Sequence, residues 1–156
     1  MNAREAVAAG LAAGAAGTTA LNAVTYLDMA LRGRPTSSTP EDTVEKLAAA
    51  AGVEIPGDGD TRKNRLSGLG ALTGIVAGVG VGAVLGLARC LGVRPSGIAG
   101  GIVTAAGAMA ATNGPMVVLG VTDVRTWSAA DWLSDAVPHL AYGVVTTAVL
   151  DALDRR

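Results

Sequence analysis

The chain has 156 residues, a formal net charge of −1, and 50% apolar against 16% charged residues. A charge near zero excludes the basic face that nucleic-acid binding requires. One cysteine excludes an internal disulfide and a multi-cysteine metal site. Phenylalanine is absent while glycine contributes 22 residues, so small side chains supply much of the apolar content. This composition favours close contact between helices over a soluble core built from large side chains.

The first predicted membrane span covers about residues 5–31 and is rich in alanine. A row of residues at intervals of four lies on one side of this helix: Gly10, Gly14, Thr18, Asn22 and Tyr26. The glycines at its start let another helix approach closely. Polar side chains replace them along the second half of the row.

A polar loop is predicted over residues 32–65, with a short amphipathic surface helix at about 40–51. Pro40 suits the first turn of this helix, and the two acidic residues after it suit the positive end of the helix dipole. Three cations, Arg62, Lys63 and Arg65, precede the second span, where phosphates of lipid headgroups would meet them.

The second predicted span, about 66–88, contains no charged residue and reaches about 34 Å as a helix, enough to cross a bilayer core. Five glycines recur at intervals of four residues: Gly70, Gly74, Gly78, Gly82 and Gly86. In water each interior glycine costs a helix about 1 kcal/mol relative to alanine. In lipid the backbone has no other partner, so the helix forms and the row predicts a glycine zipper.

The third predicted span, about 97–122, is also uncharged. Because the connection 92–96 is short, we expect spans two and three to be antiparallel neighbours. The sequence Asn113-Gly114-Pro115 interrupts the third span, since Pro115 cannot donate a helical hydrogen bond. This predicts either a kink satisfied by neighbouring polar groups or a broken helix that binds an ion or solute.

The fourth predicted span, about 136–150, has a polar row at the same spacing: Asp135, His139, Gly143, Thr147 and Asp151. Its helix is expected to begin near Ser128 and to run through Pro138. Asp135 precedes His139, the single histidine, by one turn, so this pair is the best candidate for a titrating site.

The polar residues within the spans allow three interpretations. They hydrogen-bond one another across helices and fix the bundle, they line a hydrated path for protons, ions or a small solute, or, as the least favoured interpretation, they serve intramembrane catalysis. The residues concerned are Asn22, Tyr26, Asn113, Asp135, His139, Tyr142 and Thr147.

Residue composition and the distribution of cations indicate the origin of the chain and its orientation in the membrane. Arginine outnumbers lysine ten to two, and alanine, glycine and valine abound, which is typical of a GC-rich bacterial genome. With external termini, seven cations lie on the inner side and five on the other. The positive-inside rule thus favours a cytoplasmic loop 32–65 in the bacterial inner membrane.

Three features resemble small bacterial inner-membrane proteins of the YagU-like type. They are the small-residue first helix, the sequence Arg-Gly-Arg-Pro at 32–35 followed by Pro40, and His139-Leu-Ala-Tyr-Gly143 in the last span. The resemblance covers about a third of the chain, and implies a membrane location without implying an activity.

The sequence therefore predicts an all-α, four-span bundle forming a single membrane domain over 1–156. No phosphate-binding loop, His-Glu-x-x-His or Gly-x-Ser-x-Gly motif is present, so we expect a non-enzymatic protein without a cofactor or metal. Its expected partners are the bilayer and either a second copy or another membrane protein. The alternative is a channel or transporter component for protons, ions or a small solute.

Overall fold

The computed structural model describes residues 2–155, and within them every regular element is helical. The five α-helices are α1 (Ala3–Arg32), α2 (Thr39–Ala50), α3 (Gly59–Cys90), α4 (Gly97–Val118) and α5 (Ala129–Asp154), with a short 3₁₀ helix at Val124–Thr126. Four of them, α1, α3, α4 and α5, are long and apolar enough to cross a membrane. The predicted all-α class with four spans is confirmed.

Local side-chain chemistry sets where the first and last helices begin. The Asn2 side chain accepts a hydrogen bond from the Glu5 amide, and the Glu5 side chain accepts one from the Asn2 amide. Ser128 and Asp131 form the same reciprocal capping box at the start of α5. Both boxes satisfy amides that the first turn of a helix leaves without partners.

The helix ends differ from the predicted span ends. Helix α3 begins seven residues before Leu66, because the polar segment 59–65 continues the helix beyond the apolar stretch. Helix α4 contains Pro115 and continues to Val118, so it is not broken at the proline. It ends before the predicted residue 122, since Gly120 has a φ of +67°, which a right-handed helix does not accommodate. Helix α5 continues through Pro138, as predicted.

The helix neighbours correct one prediction. Helix α1 packs against α3 and α5, and α4 packs against α5, whereas α3 and α4 share few contacts. The short connection 92–96 joins their ends, but the small-residue faces of these two helices meet α1 and α5 instead. Spans two and three are therefore consecutive in sequence without being close neighbours in space.

The antiparallel helices give the molecule two ends. Both described termini and the connection 91–96 lie at the terminal end, where Arg89 contacts Asp154. Loop 33–58 and the connection 119–128 lie at the loop end, where Arg32 contacts Ser134.

Helix α2 packs against the beginning of α3 at the loop end. Its Thr43 and Val44 are buried, which agrees with the predicted amphipathic helix at about 40–51. Nearer the terminal end, α1 and α5 share an apolar cluster of Ala9, Ala13 and Leu150.

Candidate functional site

Four glycines bring the backbones of α1 and α3 into direct contact. A Cβ atom built on Gly82 would overlap the carbonyl oxygen of Gly10 and lie 2.5 Å from the Cα of Gly14. A Cβ atom on Gly86 would overlap the carbonyl oxygen of Ala6 and lie 2.9 Å from the Cα of Gly10. Because these neighbours are backbone atoms, no side-chain rotation would relieve the overlap.

The other glycines of the α3 row have different neighbours. Gly78 faces the side chain of Thr18, while Gly70 lies against Pro40 of α2, at 3.0 Å from a built Cβ atom. Gly74 has no atom within 4 Å of the position its Cβ would take. The row is thus divided among several neighbours and does not face one helix along its whole length.

A second backbone contact joins α4 and α5. A Cβ atom on Gly143 would lie 2.6 Å from the amide nitrogen of Ala105 and would overlap the carbonyl oxygen of Gly101. On the α4 side, Gly101 lies against Val144. The sequence analysis placed Gly143 in a polar row but did not predict a role for Gly101. The residue four positions after Gly101 is Ala105, so no row of glycines at intervals of four marks this face.

Polar side chains of α4 and α5 meet between these helices near the loop end. The Asn113 Nδ2 donates to Asp135 Oδ2 at 2.8 Å. His139 Nδ1 donates to the backbone oxygen of Asp135 at 2.8 Å and lies 3.3 Å from its Oδ1. His139 Nε2 lies 3.4 Å from Thr112 Oγ1. The structure therefore brings together three residues that the sequence singled out, and adds Thr112.

The tautomer of His139 follows from this geometry. A carbonyl oxygen can only accept, so Nδ1 carries the proton. In the neutral ring Nε2 is then an acceptor, and it faces the hydroxyl of Thr112. Protonation of Nε2 would leave Asp135 as the counter-charge, because its carboxylate is already beside the ring.

Deeper in the bundle, Tyr142 and Thr147 have separate partners. The Tyr142 hydroxyl donates to the carbonyl oxygen of Gly78 at 2.6 Å. Thr147 Oγ1 lies 3.1 Å from Thr104 Oγ1 of α4. Both side chains are almost fully buried, so these bonds satisfy groups that lipid could not.

Asn22 and Tyr26 stand apart from these contacts. The Tyr26 residue is 63% exposed, and Asn22 is partly buried. Within residues 2–155, neither side chain makes a hydrogen bond to the other predicted polar residues. The polar half of the α1 row therefore does not join the cluster between α4 and α5.

The sequence analysis did not predict a buried ion-pair network at the terminal end. Arg89, with a side chain 3% exposed, donates to Asp151 Oδ1 at 2.7 Å and to Asp154 Oδ2 at 2.8 Å. It also donates to the backbone oxygen of Pro95 at 2.6 Å. Asp151 was predicted as the end of the polar row. The sequence did contain a signal for the network, because an arginine lies at the end of the second span and two aspartates lie at the end of the fourth.

Within residues 2–155, no three His, Cys, Asp or Glu side chains converge in a way that could hold a metal ion. Comparisons with protein-family models, with curated proteins and with solved structures found no match. The function must therefore be inferred from the geometry of the chain.

Proposed function

We propose that this chain is a non-enzymatic integral protein of the bacterial cytoplasmic membrane, which packs and assembles through small-residue helix faces. The observation that carries the proposal is the backbone contact of α1 and α3 at Gly10, Gly14, Gly82 and Gly86. In lipid, helices gain little from burying apolar side chains, so association depends on close approach and interhelical hydrogen bonds. The glycine zipper allows the close approach, and the buried polar pairs form the interhelical hydrogen bonds.

Assembly beyond one chain would use the glycine positions that the fold leaves open. Gly74 and Gly80 of α3 and Gly107 of α4 have no atom within 4 Å of a built Cβ. Helix α3 packs mainly against α1 and α2, and α4 mainly against α5, and both helices keep large apolar side chains exposed on their other sides. They are the faces we assign to a second copy or to another membrane protein.

The packing proposal is tested by comparing Gly82→Leu with Gly80→Leu, which alters an open position on the same helix. We expect Gly82→Leu to lower the thermal unfolding temperature of the purified protein in detergent, and Gly80→Leu to leave the monomer fold intact. If assembly uses the open face, Gly80→Leu weakens chemical cross-linking between copies in lipid. Equal stability of both variants and the parent would contradict the zipper.

The second candidate function is transport of protons, ions or a small solute. The observation that favours it is the contact between His139 and Asp135, an imidazole and a carboxylate on α5 that lie beside polar side chains of α4. Flux into vesicles that contain the purified protein, followed with a pH-sensitive dye, tests the candidate. A proton flux abolished by His139→Gln but kept in Tyr26→Phe would support transport, whereas a parent protein without flux would refute proton movement.

We also propose that loop 32–65 is cytoplasmic and the termini external, from the excess of cations on the loop end. A cysteine placed at exposed Ser37 in a Cys90→Ala background reports this orientation. Labelling of intact cells by a membrane-impermeant maleimide would contradict it.

A further inference from the structure

Helix α1 carries a membrane-embedded amide without a partner. The side chain of Asn22 is partly buried and forms no hydrogen bond within residues 2–155. The neighbouring hydroxyls of Thr18 and Thr19 differ, because each donates to a backbone oxygen one turn earlier. An amide in lipid that makes no hydrogen bond is costly, since no water replaces the missing partner.

The register of α1 against α3 explains why Asn22 has no partner within the chain. The contacts advance by one turn on each helix, and pair Gly10 with Gly86, Gly14 with Gly82, and Thr18 with Gly78. The next pair in this series would be Asn22 and Gly74. Gly74 has no atom within 4 Å of a built Cβ, so the two helices have diverged at this level. The amide of Asn22 is therefore left open at the side of the bundle.

Asn22 lies close to the middle of the membrane. Gly74, at the same level, is eight residues after Leu66, where the uncharged stretch of α3 begins. Eight residues of helix correspond to about 12 Å, against a hydrocarbon core about 30 Å thick. Lipid acyl chains at this depth offer neither a donor nor an acceptor, so a partner for Asn22 has to come from protein.

Asn22 belongs to a set of residues along the outer side of α1. We call this set the outer seam; its members recur at alternating intervals of four and three residues: Ala8, Ala12, Ala15, Thr19, Asn22 and Tyr26. All of them except Asn22 are exposed. At about 100° per residue the seam lies opposite the buried side of α1, which includes Ala6, Gly10 and Gly17. Two parallel helices that pack as a left-handed coiled coil require this repeat of 3.5 residues.

The outer seam differs from the exposed sides of the other helices. Helices α3 and α4 present large apolar side chains to lipid, among them Leu72, Val76 and Ile102. Between residues 8 and 25, α1 exposes one such side chain, Leu11. Small side chains permit a second helix to approach but do not identify it. The amide of Asn22 does identify it, because it requires a polar partner at one particular depth.

We propose that the outer seam binds α1 of a second copy of this chain, with the two Asn22 amides hydrogen-bonded to each other. Copies in one membrane share an orientation, so a two-fold axis along the membrane normal places both Asn22 side chains at the same depth. An amide carries a donor and an acceptor, so each satisfies the other. A single asparagine in such a seam also fixes the register of the two helices.

This dimer depends on the assembly proposed for the protein and names its partner. The second copy occupies α1, which leaves the open glycine positions of α3 and α4 to another membrane protein.

Förster transfer between copies in lipid vesicles tests the dimer. The fluorophores are attached at Ser37→Cys in a Cys90→Ala background, and transfer is followed as lipid dilutes the protein. Two interhelical hydrogen bonds correspond to about a tenfold change in the dissociation constant, so Asn22→Leu should weaken the dimer about tenfold. Asn22→Gln, which keeps the donor and the acceptor, should retain most of the association.

The matched control is Thr73→Val, which removes an exposed hydroxyl at the same level of α3 and should leave transfer unchanged. A dimer as tight in Asn22→Leu as in the parent protein would overturn the proposal.

Disulfide formation between copies locates the interface. In the Cys90→Ala background, Thr19→Cys should cross-link on oxidation, because the outer seam brings the two copies of this position together. Val76→Cys, 69% exposed at a similar depth on α3, should not. Cross-linking through Val76→Cys and not through Thr19→Cys would place the second copy on α3 and overturn the outer seam. This comparison decides even if Asn22→Leu fails to fold.

The stability of the monomer separates this dimer from the packing within one chain. Because Asn22 has no partner in the fold, Asn22→Leu should leave the thermal unfolding temperature in detergent unchanged, whereas Gly82→Leu lowers it. A parent protein that stays monomeric in vesicles at every dilution would overturn the dimer and leave the glycine contact of α1 with α3 intact. A lowered unfolding temperature of monomeric Asn22→Leu would show that the amide is used within one chain, which also contradicts the proposal.

Discussion

The hydroxyl of Tyr142 on α5 donates a 2.6 Å hydrogen bond to the backbone oxygen of Gly78 on α3. The bond links two helices that both pack against α1, and it passes beside Gly17, whose built Cβ would lie 2.9 Å from the Tyr142 ring. The absence of a side chain at position 17 therefore leaves room for a tyrosine to reach across the bundle.

Tyr142→Phe removes this hydrogen bond and keeps the ring. Interhelical hydrogen bonds in membrane proteins contribute about 0.6 kcal/mol on average and about 1.7 kcal/mol at most, so we expect a loss of stability in that range. Equilibrium unfolding in mixed detergent and SDS micelles measures it. Tyr26→Phe, at a residue 63% exposed, is the control and should leave stability unchanged. A Tyr142→Phe protein as stable as the parent would show that the bond contributes nothing.

Arg89→Met leaves the carboxylates of Asp151 and Asp154 without their shared cation at a buried position. Breaking a buried ion pair costs about 3–5 kcal/mol, and we expect a loss near the lower value because both carboxylates are partly exposed. Unfolding in the same micelles measures the loss.

The control for this network is Arg94→Met, at an exposed arginine, which should change stability by no more than about 0.5 kcal/mol. Adding Asp151→Asn and Asp154→Asn to Arg89→Met should restore most of the lost stability, since the uncompensated charges are then gone. Further destabilisation by the added substitutions would show that the carboxylates stabilise the fold through other partners.

Gly143→Ala places a methyl group against the backbone of α4 at Gly101 and Ala105. Overpacking of this kind costs about 1–3 kcal/mol, because the two helices must separate. Gly107→Ala is the matched control: its Cβ meets nothing within 4 Å, so helix propensity favours the alanine by up to about 1 kcal/mol. Opposite shifts in thermal unfolding temperature are expected, and shifts of the same sign would refute the close contact.

Hydropathy predicted the second and third spans directly, because more than 18 consecutive uncharged residues are typical of a membrane span. The fourth predicted span, 136–150, is shorter, and the structure adds helical turns at both of its ends. The start of α5 near Ser128 was also predicted, because the capping box that Ser128 forms with Asp131 depends only on residues close in sequence. Which helices pack against each other could not be predicted from the sequence, because several helices carry small-residue faces. Only the fit of these faces in three dimensions places Gly143 against Gly101.

The candidate site was predicted in part. Asp135 and His139 are one turn apart, so their contact follows from helix geometry. The contact of Asn113 with Asp135 depends on how α4 and α5 are aligned, which spacing within one helix does not specify. Arg89 lies 62 residues before Asp151, and its contact with that carboxylate was not predicted for the same reason.

The two glycine contacts fall on opposite sides of the connection 92–96. The contact of α1 with α3 lies wholly within the first 90 residues, and that of α4 with α5 lies wholly within the remainder. The chain is therefore two helical hairpins, each closed by its own backbone contact before the other is needed. The first hairpin contains both sides of its own backbone contact, whereas the face of α1 at Gly17 packs against Tyr142 of the second hairpin. The second hairpin packs onto the first through α1, Tyr142 and Arg89, so we expect two fragments divided at the 92–96 connection to reassociate.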